Sequence, residues 1–132
     1  MTRLLLDTTF LIDAERSSAD LDEAIADDDD VAIAAITLAE LRVGVLLADD
    51  RRRPGRAAFV EFVRDALTVV GYDGEVAEAH ADLLAHVRRS GSPHGAHDLM
   101  IAATARATGR EVVTADRRAF EELPGVEVHG PR

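Results

Sequence analysis

The sequence contains no cysteine, no lysine and no long hydrophobic run. Without cysteine, neither a disulfide framework nor a thiolate metal site can form, and the chain suits a reducing compartment. A membrane span needs roughly 18 apolar residues, and no stretch approaches that length. The apolar stretch near the N-terminus ends at Asp7 after three leucines, so it does not predict a signal peptide. We therefore expect a cytoplasmic protein with no membrane partner.

The charge of the chain is strongly acidic, and every basic residue is an arginine. The formal net charge is −10, with 15 arginines. Such a charge argues against indiscriminate binding to nucleic acid, because the phosphate backbone would be repelled. It does not exclude an enzyme that acts on nucleic acid. A site for divalent cations must be acidic before the ion binds, and arginines can supply a local basic rim.

Short β-rich runs alternate with longer helical patterns, which predicts an α/β fold. With 132 residues the chain has the length of one domain, expected to span residues 1–132. We predict a central, mainly parallel β-sheet of four or five strands flanked by helices. Strands are expected at residues 3–6, 31–34, 67–70 and 111–114, with an edge strand at 126–128. Helices are expected at residues 8–12, 21–25, 37–47, 75–89, 98–108 and 117–123.

Three of the helices carry more detailed predictions. Thr8 or Thr9 is expected to cap the first helix. Thr37, with Glu40 three residues later, has the capping-box pattern, so a helix is expected to begin there. After a charged break at residues 49–55, a further helix is expected to bury one apolar face, formed by Phe59, Phe62, Val63 and Ala66.

Four acidic residues occupy similar places in this layout. Asp7 and Asp116 each follow a predicted strand, whereas Glu40 and Asp98 lie near the start of a predicted helix. In a parallel sheet, the carboxyl ends of the strands and the first turns of the following helices meet at one edge, where ligands bind. All four acids are therefore candidates for one crevice, despite their separation along the chain.

Carboxylates that share a crevice repel one another, and some of their pKa values rise. A divalent cation removes that repulsion, and Mg²⁺ or Mn²⁺ prefers oxygen ligands together with several retained waters. A bound ion orients a water molecule, makes it more nucleophilic and stabilises charge on a phosphodiester. The four acids therefore predict metal-assisted hydrolysis of a phosphodiester.

The same acids lie within four segments that resemble the motifs of the PIN domain family. These segments are Leu5–Ile12, Thr37–Val45, His97–Ala103 and Val112–Phe120. Their order, their spacing and the chain length resemble the VapC-type toxins of bacterial toxin–antitoxin operons. Each motif alone is weak, but the four in this order span nearly the whole chain and are strong together.

The resemblance implies an endoribonuclease that depends on Mg²⁺ or Mn²⁺ and cleaves structured RNA such as tRNA or ribosomal RNA. It implies that Asp7 and Asp98 are the principal metal ligands. Glu40 and Asp116 are then expected to hold a metal, directly or through water, and to position the attacking water. The implied partners are a second copy of the chain in a homodimer and a small VapB-type antitoxin in a hetero-oligomer.

Further residues are expected to support the site. The resemblance implies hydrogen bonds from Thr8 and Thr114. Arg117 lies next to Asp116, so it is a candidate contact for a substrate phosphate. Ala119 departs from the family pattern, because many relatives carry a further acid just before the phenylalanine. This departure weakens the expectation of a fully occupied second metal site.

Each of the four acids also has a plain structural interpretation. Asp7 can cap a helix, and Glu40 can complete a capping box. Asp98 can be favoured by a helix dipole, and Asp116 can be a turn residue. Taken singly, these interpretations are as good as a role in catalysis. The joint placement of the acids favours the metal site.

Two further groups of polar residues have plain structural interpretations. His94 and His97 flank the expected crevice and are interpreted as bystanders, with an RNA contact as the alternative. The arginines at positions 51, 52, 53 and 56 are interpreted as a solvated helix start, with RNA phosphates or an acidic partner as the alternative.

Three other functions make demands that the sequence does not meet as well. A phosphatase or phosphotransferase of the haloacid dehalogenase type needs a second aspartate where this chain has Thr9. A phospho-acceptor receiver domain needs an acidic pair and a lysine, and the chain has no lysine. A catalytically inactive PIN-like RNA-binding module is disfavoured by the intact set of four acids.

Overall fold

A computed structural model describes residues 1–17 and 28–130. Four strands form one parallel sheet in the order β3-β2-β1-β4, which confirms the predicted α/β fold. The strands are β1 (Arg3–Leu6), β2 (Asp30–Ala34), β3 (Thr68–Val70) and β4 (Glu111–Val113). Five α-helices flank the sheet in the described part of the chain. They are α1 (Thr8–Ser17), α2 (Ala35–Leu46), α3 (Arg53–Ala66), α4 (Gly74–Ser90) and α5 (Ala96–Thr108).

Strand β1 lies inside the sheet and is covered on both faces. Leu4, Leu5 and Leu6 are fully buried because successive side chains of a strand point to opposite faces. Leu5 packs with residues of α4 and α5, whereas Leu4 and Leu6 pack with residues of α1, α2 and α3. The continuous apolar run of β1 is therefore the signature of a buried parallel strand. Its carboxyl end leads directly into Asp7.

The beginnings of α1 and α2 differ from the sequence predictions. Asp7, rather than Thr8 or Thr9, caps α1, because its Oδ1 accepts the backbone N–H of Phe10 at 2.9 Å. The predicted capping box at Thr37 is wrong. Helix α2 begins two residues earlier, after Ala34, and no side chain caps it. Thr37 is therefore inside the helix and fully buried, and Glu40 lies in the second turn rather than the first.

The predicted buried face of α3 is correct for Val63 and for the partly buried Phe59, and wrong for Phe62 and Ala66, which are exposed. Val60 and Val63 are the buried residues of this helix, whereas half of Phe62 is exposed. Val60 and Phe62 are both apolar and both lie at helical spacing from Val63 or Phe59, so periodicity alone could not choose between them. Phe62 instead belongs to the exposed apolar residues of the α2–α3 pair, which also include Val43, Leu46 and Leu47.

Two arginines at the start of α3 bind the end of α2. Arg53 donates to the carbonyl oxygens of Val45 and Ala48, and Arg56 donates to that of Gly44. The last carbonyls of a helix lack intrahelical partners, and cations are favourable there. For Arg53 and Arg56, the expectation of a purely solvated helix start is therefore wrong.

The C-terminal region is less regular than predicted. Gly109 ends α5 in the left-handed conformation, with φ of 63°, as its position after the helix predicts. The expected helix at 117–123 is only a short 3₁₀ turn, Arg117–Ala119. The expected edge strand at 126–128 is reduced to one parallel bridge between Val128 and Val112. The helix expected at 21–25 lies outside the described residues. Across residues 1–17 and 28–130, no helix has the length and hydropathy of a membrane span.

Candidate active site

Asp7 is the most buried of the four candidate acids, with 1% of its surface exposed. Its carboxylate accepts the hydroxyl of Thr9 at 3.0 Å and the hydroxyl of Thr114 at 2.5 Å, in addition to the backbone N–H of Phe10. These donors hold the carboxylate at the carboxyl end of β1. Asp7 is thus both a helix cap and a site residue, and the two interpretations of the sequence are compatible.

Glu40 is held between two elements. Its Oε1 accepts the hydroxyl of Thr8 at 2.7 Å, and its Oε2 lies 3.1 Å from Nδ1 of His97. The hydroxyl of Thr8 also lies 3.2 Å from that of Thr37. Thr8 therefore supports the site as predicted, by joining the start of α1 to the second turn of α2. His97, at the start of α5, brings a third element to the same carboxylate.

Thr114 connects two of the acids. Its hydroxyl donates to Asp7, and the same oxygen accepts the backbone N–H of Asp116 at 2.9 Å. Asp116 is exposed and comes three residues after the end of β4. The loop after β4 is thereby anchored to the end of β1, which lies beside it in the sheet.

Asp98 lies in the first turn of α5 and is half-buried. A side chain on Gly95 would crowd it, because a Cβ at that position would lie 3.2 Å from Oδ2 of Asp98. Gly95 therefore leaves room for the carboxylate at the helix N-terminus. The dipole of the helix favours a negative charge there.

The charges of the four acids are coupled. Burial raises the pKa of Asp98, and the neighbouring negative charges of Asp7, Asp116 and Glu40 raise that pKa further, while His94 opposes the rise. Burial also raises the pKa of Asp7; its hydrogen bonds from Thr114, Phe10 and Thr9 counter part of that effect, and the charge of Asp116 adds to it. The structure thus brings Asp7, Glu40, Asp98 and Asp116 to one edge of the sheet.

The donor set of this edge fits a hard divalent cation. The four acids supply carboxylate oxygens, and no arginine of the described ranges makes an ion pair with any of them. As the side chains stand, no three acidic or histidine groups among the described residues are close enough together to hold an ion. An ion that keeps several of its waters fits such spacing better than one that needs a full set of protein ligands.

The contacts of Arg117 do not hold it beside the four carboxylates. Its Nε lies 3.0 Å from Glu121, and its guanidinium also donates to the carbonyl oxygen of His129. The neighbouring Arg118 is exposed and has no hydrogen bond or ion pair with the described residues. The two contacts of Arg117 use two of the five N–H groups of its guanidinium.

Sequence reasoning missed three residues that shape this site. It interpreted His97 as a bystander, whereas His97 contacts Glu40. It assigned Thr37 to a cap, whereas Thr37 lies against Thr8. It gave no role to Gly95. Two signals were available, since His97 directly precedes Asp98 and Thr37 lies one helical turn before Glu40.

Comparison with known proteins gives one consistent family. A sequence profile described as "PIN domain" matches residues 4–126. Ribonuclease VapC5 of Mycobacterium tuberculosis is 42% identical over 113 residues, which cover 85% of this chain and 82% of that protein. A "tRNA(fMet)-specific endonuclease VapC" of Salmonella typhimurium is 38% identical over 97 residues, covering 73% of this chain and 71% of that protein. The crystal structure of VapBC-5, a toxin–antitoxin system of M. tuberculosis, matches with a TM-score of 0.80 and 37% identity, covering 97% of this chain and 98% of that one.

Proposed function

The chain belongs to the PIN domain family, in its VapC branch, and from that premise we propose that it is a metal-dependent endoribonuclease, the toxin of a toxin–antitoxin pair. The observation that carries the proposal is the convergence of four carboxylates on one edge of the sheet, where burial and then the charges of Asp7, Asp116 and Glu40 raise the pKa of Asp98. Uncompensated negative charge of this kind is stabilised by a divalent cation.

Asp7, Glu40, Asp98 and Asp116 are the residues proposed to hold Mg²⁺ or Mn²⁺, directly or through water. When bound, the ion supplies a more nucleophilic water and stabilises the charge that develops on the phosphodiester. The chain itself contributes orientation. Thr8 and His97 hold the Glu40 carboxylate, and Thr114 holds that of Asp7, so that the oxygens are in place before the substrate arrives. Hydrolysis is expected to leave a 5′-phosphate and a 3′-hydroxyl.

Structured RNA is the proposed substrate class, with tRNA first and ribosomal RNA second. The support for tRNA is the Salmonella relative, which is named for its action on tRNA(fMet) and shares 38% identity with this chain. The strong negative charge of the chain supports recognition of a particular RNA shape over general affinity for nucleic acid. With no cysteine in the sequence, the cytoplasm is the proposed location.

A VapB-type antitoxin and a second copy of this chain are the proposed partners. The support is the similarity to the VapBC-5 structure, a toxin–antitoxin system with 37% identity in the matched chain. The exposed apolar residues of the α2–α3 pair give such partners a surface to cover, since Leu46 and Leu47 are 67% and 81% exposed.

Cleavage by the purified chain tests the proposal. In Mg²⁺ or Mn²⁺ the parent is expected to cut RNA, and chelation with EDTA is expected to stop it. Asp98→Asn should reduce cleavage by several orders of magnitude while the fold is retained, because it removes a ligand charge. Asp65→Asn, at an exposed position on α3, is the matched control and should cut like the parent. A D98N variant that cuts as fast as D65N would show that the site is wrongly assigned.

A parent that binds RNA without cutting it in either metal would instead favour an inactive RNA-binding module. Mapping the ends of the products separates hydrolysis at a metal from attack by the 2′-hydroxyl. The metal-dependent route leaves a 5′-phosphate, which a ligation assay detects.

A further inference from the structure

The longest stretch of the sequence without an acidic residue leads directly to Asp98. Residues 83–97 contain no aspartate or glutamate, although the chain has 25 such residues among 132. We call this stretch the basic segment, because it contains Arg88, Arg89 and three histidines. It comprises the last two turns of α4, the connection at residues 91–95 and the first two residues of α5. A local excess of positive charge thus lies next to a candidate metal ligand in an otherwise acidic protein.

The end of the basic segment borders the candidate site. A Cβ at Gly95 would lie 3.2 Å from Oδ2 of Asp98. Burial raises the pKa of Asp98 and the charge of His94 opposes that rise, so the ring of His94 is near the carboxylate. Nδ1 of His97 lies 3.1 Å from Oε2 of Glu40. The basic segment therefore reaches two of the four candidate acids.

Arg89 lies at the same level as Asp98. Helices α4 and α5 pack together and are joined only by residues 91–95, so they run in opposite directions. Asp82 of α4 contacts Arg106 of α5 at 3.1 Å. From that contact, α4 rises about 10 Å to Arg89, and α5 rises about 12 Å back to Asp98. Two helical turns also return Arg89 to the face of Asp82, which borders α5. Arg89 is therefore beside the edge of the sheet that carries the acids.

The two arginines have donors to spare. Arg88 and Arg89 are exposed and have no hydrogen bond or ion pair with the described residues. A cation in the last turn of a helix is favoured by the helix dipole, which accounts for part of their presence. Arg53, in contrast, binds the carboxyl end of α2 through two backbone carbonyl oxygens. Because Arg88 and Arg89 make no such contact within the described chain, their N–H groups are available to a ligand.

We propose that Arg88 and Arg89 bind an RNA phosphate that flanks the scissile one, on the side of the four acids where α4 meets α5. The proposal rests on the function proposed above and names a contact that holds the strand across the site. The acids repel the phosphates of RNA, so a strand that crosses them needs cations beside them. A guanidinium suits this task, because its fork of N–H donors matches two phosphate oxygens. An acidic segment of a partner protein is the competing occupant.

Variants without the two charges test the contact. Arg88→Gln combined with Arg89→Gln should weaken binding of a short, fluorescein-labelled single-stranded RNA on the order of tenfold at low salt. The slope of log affinity against log salt should become shallower by about 0.7, the value for one phosphate of a single strand. Fluorescence anisotropy in EDTA measures both quantities without cleavage.

Arg64→Gln is the matched control. Arg64 is likewise exposed in the last turn of a helix, α3, but that helix ends where β3 begins, at the edge of the sheet opposite the acids. Removal of either set of cations loses a favourable interaction with a helix dipole, so the Tm should change little and in the same direction. Arg64→Gln should bind RNA like the parent.

Cleavage in Mn²⁺ provides a second arm. The double variant should raise KM by a similar factor with little change in kcat, because the arginines hold the strand equally before and during the reaction. Substrates with one uncharged methylphosphonate near the mapped cleavage site then locate the contact. At one of the phosphates flanking the scissile bond, this change should weaken binding to the parent and to Arg64→Gln. It should have little further effect on the double variant.

Several outcomes would overturn the proposal. A double variant with the RNA affinity and salt slope of Arg64→Gln would show that the arginines do not contact the strand. A variant that keeps its RNA affinity but no longer binds a co-expressed antitoxin or a second copy of the chain would make the basic segment a protein interface. A parent with no affinity for RNA would also overturn it. If the parent binds RNA but cuts none in Mg²⁺ or Mn²⁺, the proposed function fails, while anisotropy still decides whether the arginines hold a phosphate.

Discussion

The hydroxyl of Thr114 donates to the carboxylate of Asp7, and its oxygen accepts the backbone N–H of Asp116. Thr114 lies 107 positions after Asp7, and its short side chain contacts two of the four candidate acids. Hydrogen bonds to a carboxylate favour its ionised form, so this contact holds down the pKa of Asp7 against the effect of burial.

Removal of that hydroxyl is expected to make cleavage more sensitive to acid. Thr114→Val keeps the shape of the side chain and loses the donor, so the pKa of Asp7 should rise further. The acidic limb of the pH–rate profile should then move to higher pH, and stability at neutral pH should fall by about 1–3 kcal/mol. Thr114→Ser keeps the hydroxyl and should retain the parental profile. Identical profiles for the valine and serine variants would show that the hydrogen bond has no part in the ionisation of Asp7.

His97 is expected to position Glu40 for catalysis. His97→Ala removes the 3.1 Å contact with Oε2 and should reduce kcat on the order of tenfold with little change in KM, since Thr8 still holds the other oxygen. His97→Asn places an amide nitrogen near the position of Nδ1 and should recover much of the loss. Steady-state kinetics of the alanine and asparagine variants measure kcat and KM. If the alanine variant alters KM alone, His97 contacts substrate and does not orient Glu40.

The burial of Asp98 and the acids around it should make the fold less stable as pH rises. The folded pKa of Asp98 lies above its ordinary value of 3.8, so the folded protein binds the proton more tightly than the unfolded chain does. Stability is therefore lost as pH rises from about 3.8 through the folded pKa. Asp98→Asn has no carboxyl group at this position, so it should not lose stability in this way. It should have a higher Tm than the parent at neutral pH. Thermal melts across the acidic range should show the difference shrinking as pH falls, and a constant difference would show that the pKa of Asp98 is not raised in the folded protein.

Divalent cations should reverse the order of the Tm values of the parent and Asp98→Asn. Mg²⁺ or Mn²⁺ is expected to raise the Tm of the parent by several degrees, because an ion that binds only the folded state stabilises it by mass action. Asp98→Asn should gain much less, and Asp65→Asn should gain as much as the parent. Differential scanning calorimetry with and without EDTA provides the measurement. An equal gain for all three proteins would place the ion elsewhere on this acidic chain.

The architecture was largely predictable from the sequence because its strongest signals are local. The run of leucines in β1 predicts a strand buried on both faces, and Gly109 predicts the end of α5. Topology predicts that the four acids lie together, since each of them follows a strand or lies near the start of a helix at the same edge of the sheet. The pattern of strands and helices was enough to select Asp7, Glu40 and Asp98 as candidate site residues, without knowledge of any contact.

The errors and omissions concern contacts between distant residues. Thr37 has the composition of a cap, but the backbone after β2 turns into a helix at once, and its hydroxyl lies against Thr8 instead. Phe62 has the right spacing for a buried face, but Val60 is buried in its place beside Val63, which was predicted correctly. The contact of His97 with Glu40 joins residues 57 positions apart, and no pattern within one helix could reveal it.

The order of the strands also has a consequence for synthesis. Strand β4, made last, lies beside β1, made first, and it carries Thr114 and Asp116 behind it. A nascent chain that has not yet been extended past this strand lacks two parts of the site, however well its earlier helices have formed. The candidate site is therefore incomplete until the final strand has joined β1, so the proposed nuclease activity should appear only late in synthesis.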